Sequence, residues 1–502
     1  MFARIAKMQE DLPSALSDRN CRQLASFVLY IVVLPGLQAD FHRAQRTEPL
    51  KMGSTEKISP EHEELKLEQV GGVEIIVPAA ETPTTRVFLS NTDQVLVIPV
   101  ETVYFYPANP SKPIDGLVQT LKDALAKLLV TYHIMAGRLA MNEKEQRLEI
   151  DCNRKGAEFT HYKSTLSLSD LGDVTMPNPA FRALVPTKFS ASVVYEVPLL
   201  AIQVTTFQDG GYTVGVMMSH TLFDGFAAID FFMNYSALAR GEELVSVPSF
   251  DRSPLKSRDP PKIEFPHPEL IKQSDMEQTP FTTAESAEKE FVALENTSKH
   301  VTKVFPFTPQ KIETLKKKAL EGGIIKRVST FEVVAAHIWQ TRTKCIDLPE
   351  DKYTNLLFAV DIRKRLIPAL HKHYAGNAVH AAVARDLPKV VREMSFVEVV
   401  QRIQEAISQV TDAYVRSSID WGQVHKGFPD LAGGFFLSAW FKMPFYDIDY
   451  GWGKPCYAGP IVTPLVEFVL LLSNGTQDGG CNLVIALEPQ HMEKFEKLIV
   501  EA

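Results

Sequence analysis

The chain has 502 residues, with 53 Lys and Arg against 61 Asp and Glu, which gives a formal net charge of −8. Apolar residues make up 45% and charged residues 23%, which is typical of a globular protein and excludes disordered, collagen-like and coiled-coil chains. The length predicts two or three domains, and the absence of a basic stretch interleaved with aromatics argues against a nucleic-acid partner and for a small-molecule one.

The first 51 residues are predicted to be an extension outside the fold. Their apolar run LASFVLYIVVLPGL, residues 24–37, is shorter than the roughly 20 residues of a membrane-spanning helix. It follows a mixed-charge stretch, so a cleaved signal peptide is also disfavoured. Met52 opens the sequence that leads into the first fold-like pattern. Residues 1–51 are therefore either an unstructured appendage or absent from the mature protein.

The first half of the chain predicts strands and amphipathic helices in alternation. Residues 94–107 are rich in β-branched and aromatic side chains, as in a strand, and residues 114–132 have apolar residues at helical spacing. Strands are also predicted at QRLEIDCN, PLLAIQVTTF and GYTVGVMMSH, with the last two joined by a QDGG hairpin turn. A helix is predicted from Asp224 to Arg240, with Phe226, Ile229 and Phe232 on one face.

A proline-rich, charged stretch at residues 248–285 interrupts this pattern and predicts a crossover between domains. Beyond it, Thr308 is positioned to cap a helix, and Ser329 with Glu332 forms a capping box ahead of a second helix. The strand-like NLLFAVDI, a long helix at residues 395–417, and the strands GGFFLSAWF and EFVLLLSNG complete the second half. The predicted fold class is α/β.

The segment VGVMMSHTLFDGFA, residues 214–227, is the first candidate for chemistry. It predicts a strand that carries His220 to its end, followed by a turn that contains Asp224 and Gly225. A neutral imidazole at such a rim can accept a proton from an alcohol or amine, and Asp224 could hold the turn by pairing with a basic residue. The alternative is a core histidine with Asp224 as a helix N-cap, and HxxxD alone leaves both interpretations open.

Other catalytic and metal-binding patterns are missing from the sequence. GxSxG, HExxH, GxxxxGK[ST] and a GxGxxG behind a strand do not occur, so hydrolase, zinc-enzyme, P-loop and Rossmann functions have no support. The remaining histidines are scattered, and the five cysteines lie far apart without a CxxC pair. We therefore predict no metal site, no disulfide framework and a reducing, cytoplasmic location.

A second motif, DYGWGKP at residues 449–455, follows HTLFDG far along the chain. Together and in this order, the two motifs resemble HxxxDG and DFGWG of the BAHD acyltransferases, plant enzymes that move an acyl group from a coenzyme A thioester to an alcohol or amine. Six further blocks look like family sequence: FLSNTDQ, YHIMAGRL, RLEIDCN, STFEVVAAHIW, YAGNAV and YVRSSIDW. The resemblance runs from about Val73 to the end of the chain.

The resemblance implies two chloramphenicol-acetyltransferase-like domains with mixed β-sheets and a solvent channel between them. We expect residues 52–248 to form the domain with HxxxD, residues 249–300 to be a crossover linker, and residues 301–502 to form the domain with DYGWG. The family also implies a monomer without a bound cofactor or metal, which uses acyl-CoA as co-substrate.

The resemblance further implies roles for single residues. His220 would be the general base, and the indole N–H of Trp440, with Ser438 beside it, would stabilise the oxyanion; otherwise Trp440 is simply a large core side chain. Arg363 or Arg365 would pair with Asp224. Ser329 and Thr330, at a helix N-terminus, would meet the phosphate or pantetheine of CoA.

The DYGWG motif is expected to be structural rather than catalytic. Asp449, Gly451, Trp452 and Gly453 would support the fold away from the reacting atoms, as the family resemblance implies. Tyr450 replaces the usual Phe, and its hydroxyl is expected to need a hydrogen-bond partner.

The sequence also gives an indication of which acceptor molecule is used. Members that use shikimate carry an arginine shortly before the segment that ends at Trp440, whereas residues 421–440 contain none. This argues against a charged cyclic acceptor held in that way. The chain looks more like the members that feruloylate ω-hydroxy fatty acids and fatty alcohols for suberin or cutin, which implies transfer of a feruloyl or caffeoyl group to such an aliphatic hydroxyl. The alternatives are transfer to shikimate, quinate or another small alcohol or amine, and a non-catalytic member that acts as a binding accessory in lipid metabolism.

Overall fold

The computed structural model describes residues 64–186, 195–276, 300–461, 467–476 and 478–501, and these fall into two compact units. The first unit comprises the described residues of Met1–Arg252, Ala375–Asn377 and Pro444–Val462. The second comprises the described residues of Ser253–Tyr374, Ala378–Met443 and Thr463–Ala502. The predicted extension at residues 1–51, with its apolar run, lies outside the described residues.

The first unit contains a mixed sheet of seven strands in the order β1-β7-β8-β9-β4-β16, with β2 also paired to β7, and a smaller sheet in the order β3-β6-β5. Among the described strands of this unit, only β7 and β8 run parallel to each other. The strands are β1 (Leu67–Gln69), β2 (Glu74–Ile76), β3 (Arg86–Phe88), β4 (Pro99–Tyr106), β5 (Arg138–Asn142), β6 (Arg147–Asp151), β7 (Ala157–Ser164), β8 (Leu200–Thr206), β9 (Tyr212–Ser219) and β16 (Tyr457–Pro460).

The last strand of this sheet changes the predicted domain boundaries. β16 pairs antiparallel with β4, so Pro444–Val462, which carries DYGWG, belongs to the first unit. We expected this motif in a continuous C-terminal domain, 301–502. The structure differs because about 350 residues separate β16 from its partner, and strand pairing over such a distance leaves no local signal.

The β8–β9 hairpin brings the predicted strand to the middle of the sheet. Its turn uses Gly210, whose φ of 86° lies in the left-handed region that glycine tolerates. Tyr212 to Met218 are all buried, as expected for a strand covered on both faces. Within it, Gly215 is required by space, because a Cβ there would lie 1.9 Å from the Leu184 carbonyl oxygen.

The helices of the first unit are α1 (Asn91–Val95), α2 (Leu117–Thr131) and α3 (Gly225–Ala239). Short α1 occupies the start of the stretch predicted as strand 94–107, because a capping box between Ser90 and Asp93 begins a helix there. On α3, Ile229 and Phe232 are buried, but Phe226 is 53% exposed. Phe226 was therefore assigned to the wrong face.

The second unit contains a mixed sheet of six strands in the order β11-β18-β17-β15-β12-β13 and a two-stranded ladder, β10-β14. In the six-stranded sheet, β15 runs parallel to both β12 and β17. The strands are β10 (Leu270–Ile271), β11 (Val301–Phe307), β12 (Thr354–Asp361), β13 (Val379–Asp386), β14 (Phe428–Pro429), β15 (Phe435–Ala439), β17 (Phe468–Ser473) and β18 (Cys481–Leu487).

The helices of the second unit are α4 (Gln273–Met276), α5 (Pro309–Leu320), α6 (Thr330–Cys345), α7 (Pro388–Glu393), α8 (Phe396–Gln409), α9 (Asp412–His425) and α10 (Pro489–Ile499). The predicted long helix at 395–417 is two helices. The break occurs where the Thr411 side chain accepts the N–H of Tyr414 and caps α9. Arg365 closes the preceding helix by donating to the carbonyl oxygens of Ile407 and Val410, each at 2.9 Å.

Each unit has its own hydrophobic core. In the first, Phe105 and Tyr457 of paired strands pack with Phe181. In the second, helices α6, α8 and α10 pack on the six-stranded sheet around fully buried Trp339 and Phe495. Among the described cysteines, Cys152, Cys345, Cys456 and Cys481 are free thiols. Within the described ranges, every helix is too short or too polar to cross a membrane.

Candidate active site

His220 stands immediately after the central strand β9, as the sequence predicted. Its backbone N–H donates to the carbonyl oxygen of Ile98 (2.8 Å), which extends the pairing with the segment before β4 by one bond. The side chain is half-buried. Its Nδ1 atom is buried and has no hydrogen-bond partner among the described residues. The ring therefore lies at the rim of a sheet rather than inside a satisfied core cluster.

The turn after His220 ends at a capped helix. Asp224 is 3% exposed, and its Oδ1 accepts the backbone N–H of Ala227 (3.0 Å) at the start of α3. This confirms the interpretation of Asp224 as an N-cap. Gly225 is the first residue of the helix. The cap fixes where α3 begins, and therefore how the turn leaves the strand.

Two buried side chains hold the backbone of this turn. Asn377 Nδ2 donates to the carbonyl oxygen of His220 (2.8 Å), and Arg252 Nη2 donates to that of Leu222 (3.0 Å). Both side chains belong to the first unit, Asn377 through the short segment Ala375–Asn377. The carbonyl groups on either side of the turn are thus anchored from outside it.

Asp93 connects these two anchors. Its Oδ1 accepts Asn377 Nδ2 (2.8 Å), and its Oδ2 accepts Arg252 Nε (3.2 Å) and the backbone N–H of Ser90 (2.8 Å). Its backbone carbonyl accepts the hydroxyl of Thr221 (2.7 Å). We call Asp93, Arg252 and Asn377 the Asp93 network. All three are at most 2% exposed.

Our sequence analysis assigned no role to the Asp93 network. Asp93 lies in FLSNTDQ and Asn377 in YAGNAV, two blocks that were recognised only as family sequence. The available signal was an acid beside the apolar stretch QVLVIPV and an amide beside AVHAAVA, because polar groups buried next to strands need hydrogen-bond partners. Arg252 lies in the proline-rich stretch, where nothing distinguished it from a surface charge.

The predicted oxyanion donors form a pair in the second unit. Ser438 on β15 and Trp440 just beyond it are two residues apart, so they share a face, and both are half-buried. The indole Nε1 of Trp440 donates to Ser438 Oγ (2.9 Å). Because an indole nitrogen only donates, the hydroxyl of Ser438 accepts this bond and keeps its own hydrogen for another acceptor.

The two candidate partners of Asp224 are distinguished by their own contacts. Arg365 is bound to the carbonyl oxygens at the end of α8, as described above. Arg363 is 8% exposed, and it donates to Asp361 (3.1 Å) and to the carbonyl oxygen of Tyr374 (3.3 Å). The pairing of an arginine with Asp224 stays a prediction. Arg363 is now the candidate partner, because Arg365 is engaged elsewhere.

DYGWG forms a tight turn in the first unit, and its expected structural role stays a prediction. Asp449 Oδ1 accepts the N–H groups of Gly451 (2.7 Å) and Gly453 (2.9 Å). These glycines have φ values of 97° and 112°, which other residues rarely adopt. Trp452 donates to the carbonyl oxygen of Pro113 (2.8 Å), and the Lys112 ammonium lies 3.7 Å from its ring centroid.

Tyr450 departs from expectation within this motif. Its ring is fully buried and lies 5.1 Å from Tyr235 and 5.7 Å from Tyr106, centroid to centroid. Its hydroxyl has no hydrogen-bond partner among the described residues. The expectation that this hydroxyl would be paired was therefore wrong, because aromatic rings surround it.

Ser329 and Thr330 begin helix α6. Ser329 accepts the N–H of Glu332 (3.2 Å), and Glu332 accepts the N–H of Ser329 (2.7 Å), which confirms the predicted capping box. The Glu332 carboxylate already occupies the positive end of this helix. A contact of Ser329 or Thr330 with CoA stays a prediction. Across the described ranges, no three His, Cys, Asp or Glu side chains cluster in a way that could hold a metal ion.

With this geometry established, comparison with known proteins identifies the family. The sequence profile of the Transferase family matches residues 68–501. The chain belongs to this family. It is the BAHD family that the two motifs resemble, and the chain is an acyltransferase. Members of the BAHD family take their acyl group from acyl-CoA as co-substrate.

Curated relatives of the chain carry several acyltransferase names. Acyltransferase GLAUCE of Arabidopsis thaliana is 37% identical, over 89% of this chain and 98% of its own length. Omega-hydroxypalmitate O-feruloyl transferase of the same plant is 32% identical, over 85% and 91%. Shikimate O-hydroxycinnamoyltransferase of Nicotiana tabacum is 33% identical, over 85% and 98%. These identities do not separate BAHD members by acceptor.

Solved structures support the fold. Vinorine synthase superposes with a TM-score of 0.66 at 23% identity, over 85% of this chain and 96% of that one. F. sporotrichioides TRI101, complexed with coenzyme A and T-2, gives 0.61 at 18% identity, over 81% and 96%. The predicted α/β class with two domains and mixed sheets is thereby confirmed.

Proposed function

We propose that this BAHD acyltransferase moves a feruloyl or caffeoyl group from its CoA thioester to the hydroxyl of an ω-hydroxy fatty acid or fatty alcohol. The observation that carries the proposal is the position of His220, half-buried at the end of a central strand, with its backbone held by buried side chains and no partner for Nδ1. Such an imidazole is suited to accept a proton from a bound alcohol.

The proposed reaction is a direct transfer in a ternary complex. His220 takes the proton of the acceptor hydroxyl as its oxygen attacks the thioester carbonyl carbon. The oxygen of that carbonyl becomes negative, and the Ser438 hydroxyl donates a hydrogen bond to it while Trp440 holds Ser438 through its indole N–H. When the tetrahedral intermediate collapses, the carbon–sulfur bond breaks, and the CoA thiolate receives the proton from the imidazolium.

Two kinds of observation support the proposed acceptor. Residues 421–440 contain no arginine that could hold a cyclic carboxylate, and they include the uncharged run AGGFF. Relatives at 32% and 31% identity are named Omega-hydroxypalmitate O-feruloyl transferase and Fatty alcohol:caffeoyl-CoA acyltransferase. The second candidate is transfer to shikimate, which is favoured by the 33% identity to the tobacco shikimate O-hydroxycinnamoyltransferase.

A panel assay tests the proposal. The purified protein is incubated with feruloyl-CoA and, separately, with 16-hydroxypalmitate, 1-hexadecanol, shikimate or quinate, and thiol release and ester formation are measured. We expect ester with the aliphatic acceptors. His220→Ala is expected to lower the rate by about 10² to 10⁴, the usual contribution of a general base. His371→Ala, which removes an exposed histidine, serves as the matched control and should leave the rate unchanged.

The other outcomes of this assay discriminate between the alternatives. Faster turnover of shikimate than of either aliphatic acceptor would replace the first candidate by the second. If the protein bound the aliphatic compounds but released no thiol with any acceptor, it would be a binding accessory. A monomeric state and a cytoplasmic location are further parts of the proposal, to be checked by light scattering during size exclusion and by imaging of a fluorescent fusion.

A further inference from the structure

We propose that Asn377 is a positioning residue for His220, and that Asp93 fixes the orientation of the Asn377 amide. The inference rests on the proposed role of His220 as general base. It assigns to the Asp93 network the task that a carboxylate behind the ring performs in many enzymes, namely to hold the imidazole in one orientation.

The His220 ring needs positioning from its backbone because its second nitrogen has no hydrogen bond. A catalytic histidine is commonly oriented by a hydrogen bond to its second ring nitrogen. In the described structure, Nδ1 of His220 is buried and has no such bond. The direction of the ring therefore depends on its backbone, which is held by Ile98 at the amide nitrogen and by Asn377 at the carbonyl oxygen.

The network leaves the Asn377 amide only one orientation. Its Nδ2 lies 2.8 Å from Asp93 Oδ1 and 2.8 Å from the His220 carbonyl oxygen. Both of these are acceptors, so turning the amide over would place an oxygen against two oxygens. The opposite atom, Oδ1, is buried without a partner in the described structure. The amide is therefore oriented so that its NH2 group donates to Asp93 and His220, although its oxygen then has no partner.

Burial and charge make this arrangement rigid. Asp93 and Asn377 are 0% exposed, and Arg252 is 2% exposed. Hydrogen bonds that involve a charged group are stronger in such an environment than in water. The guanidinium of Arg252 balances the Asp93 carboxylate while it also holds Leu222 on the far side of the turn. The same ion pair therefore supports both anchors.

The test compares two equally buried asparagines of the first unit. Asn377→Leu removes the donor to His220. Asn234→Leu is the matched control: Asn234 is also 0% exposed, and it bonds Tyr132 and Ser246 rather than the turn. With feruloyl-CoA and the best acceptor of the panel, single-turnover rate constants are measured alongside calorimetric titration of feruloyl-CoA, which reports affinity and the fraction of competent sites.

We expect Asn377→Leu to slow the single turnover by about 10- to 100-fold, which is the scale of a misplaced reacting group, with unchanged donor affinity and full stoichiometry. Asn234→Leu should lower thermal stability at least as much and leave the rate constant unchanged. A merely structural role would reduce stoichiometry or stability in both variants but would not lower the rate per competent site. Equal rates per site in the wild type and Asn377→Leu would overturn the proposal.

Hydrogen exchange provides a readout that does not need turnover. Deuterium uptake of peptides spanning residues 218–223 should be about tenfold faster in Asn377→Leu than in the wild type, and unchanged in Asn234→Leu. Unchanged uptake in Asn377→Leu would overturn the proposal whatever the activity. If the wild type transfers no acyl group, the proposed function fails, and the exchange rates alone decide whether Asn377 holds the turn. Should Asn377→Leu not fold, Asn377→Ser, with one shorter donor, is measured in the same way.

Discussion

Each of the two units buries a carboxylate almost completely, and the two carboxylates have different neighbours. Asp93 in the first unit is 0% exposed, and Glu269 in the second is 1% exposed. Asp93 binds Arg252 and Asn377, and both of these also hold the turn that carries His220.

Glu269 is bound instead by side chains that have no link to a reactive group. It accepts His267 Nδ1 (2.9 Å) and the hydroxyl of Tyr414 (2.7 Å), and His380 Nε2 lies 3.3 Å away. Ser417 Oγ lies 2.8 Å from His267 Nε2 and accepts backbone N–H groups of residues 264 and 265. We call this set the Glu269 network. It fastens the start of the second unit to helix α9.

The comparison shows that burial of a carboxylate does not by itself indicate a functional site. Both carboxylates are satisfied by several donors, as buried charges must be. What differs is the second bond of each partner: Asn377 and Arg252 also bond the His220 turn, whereas His267 also bonds a serine of a structural helix. We therefore expect the Asp93 network to control rate and the Glu269 network to control stability.

The largest expected effect comes from a substitution in the second unit that should change the catalytic rate without changing stability. Ser438→Ala should lower kcat by about 10² to 10³, the usual loss for an oxyanion donor, and leave the melting temperature nearly unchanged. Trp440→Phe should have a smaller effect, because the indole acts through Ser438. Steady-state kinetics with feruloyl-CoA measures both. A greater loss in Trp440→Phe than in Ser438→Ala would assign the oxyanion to the indole N–H.

The next effect concerns the Glu269 network. Glu269→Gln should lower the free energy of unfolding by about 3 kcal/mol, because the histidines and Tyr414 lose their buried anionic partner. The kcat of the folded variant should equal that of the wild type. Chemical denaturation and kinetics measure the two quantities. The control is Glu264→Gln in the same segment, where an exposed carboxylate is removed and stability should hardly change. A large loss of kcat in Glu269→Gln would show that the Glu269 network also controls the rate.

The same carboxylate predicts a pH dependence. Burial alone would raise the pKa of Glu269, but hydrogen bonds from His267, His380 and Tyr414 outweigh it and hold the pKa at about 2, below the ordinary 4.5. Its contribution to stability is therefore complete above pH 4.5 and is lost as the pH falls to about 2. Over this window the wild type should lose about 3 kcal/mol more than Glu269→Gln does. If the free energies of unfolding of the wild type and Glu269→Gln changed equally with pH, Glu269 would not be the group responsible.

A smaller effect tests the pairing of Asp224, another buried carboxylate of the first unit. Asp224→Asn keeps a good N-cap and removes only the charge. In a double-mutant cycle with Arg363→Met, we expect a coupling energy of about 1 to 2 kcal/mol, as for groups in one ion pair. The control cycle with Arg365→Met should show no coupling, since that guanidinium caps α8. Equal coupling in both cycles would leave Arg363 without a special role.

The smallest effect concerns the unpaired hydroxyl of Tyr450. Tyr450→Phe should raise the free energy of unfolding by about 1 kcal/mol, because a buried hydroxyl without a partner is unfavourable. The matched variant Tyr106→Phe should lower it by about 1 kcal/mol, since Tyr106 donates to the carbonyl oxygen of Ile448 (3.0 Å). Denaturation curves decide the sign. Destabilisation of Tyr450→Phe would mean that the hydroxyl has a partner.

The features that sequence predicted well are local ones. The strand that ends at His220, the Asp224 cap and the Ser329 capping box depend on residues within a few positions of one another. The family resemblance added what local pattern could not, namely the hypothesis that His220 and Trp440 act in one reaction.

The features that sequence did not predict depend on distant partners. Asn377 is 157 positions from His220, and nothing near either residue indicates the bond between them. The break between α8 and α9 depends on Arg365, more than 40 positions earlier. Phe226 is three residues from buried Ile229, but it lies on the side of α3 that also carries the partly exposed Asp230 and Met233.

The pairing of β16 with β4 has a consequence for biosynthesis. Residues 99–106 leave the ribosome long before residues 457–460 exist, so during that interval one edge of the large sheet has open hydrogen-bonding groups. Such an edge invites pairing with other nascent chains. A fragment cut after Arg252 should therefore aggregate unless the peptide 444–462 is added to it. The first unit becomes complete only after about 350 further residues have been made.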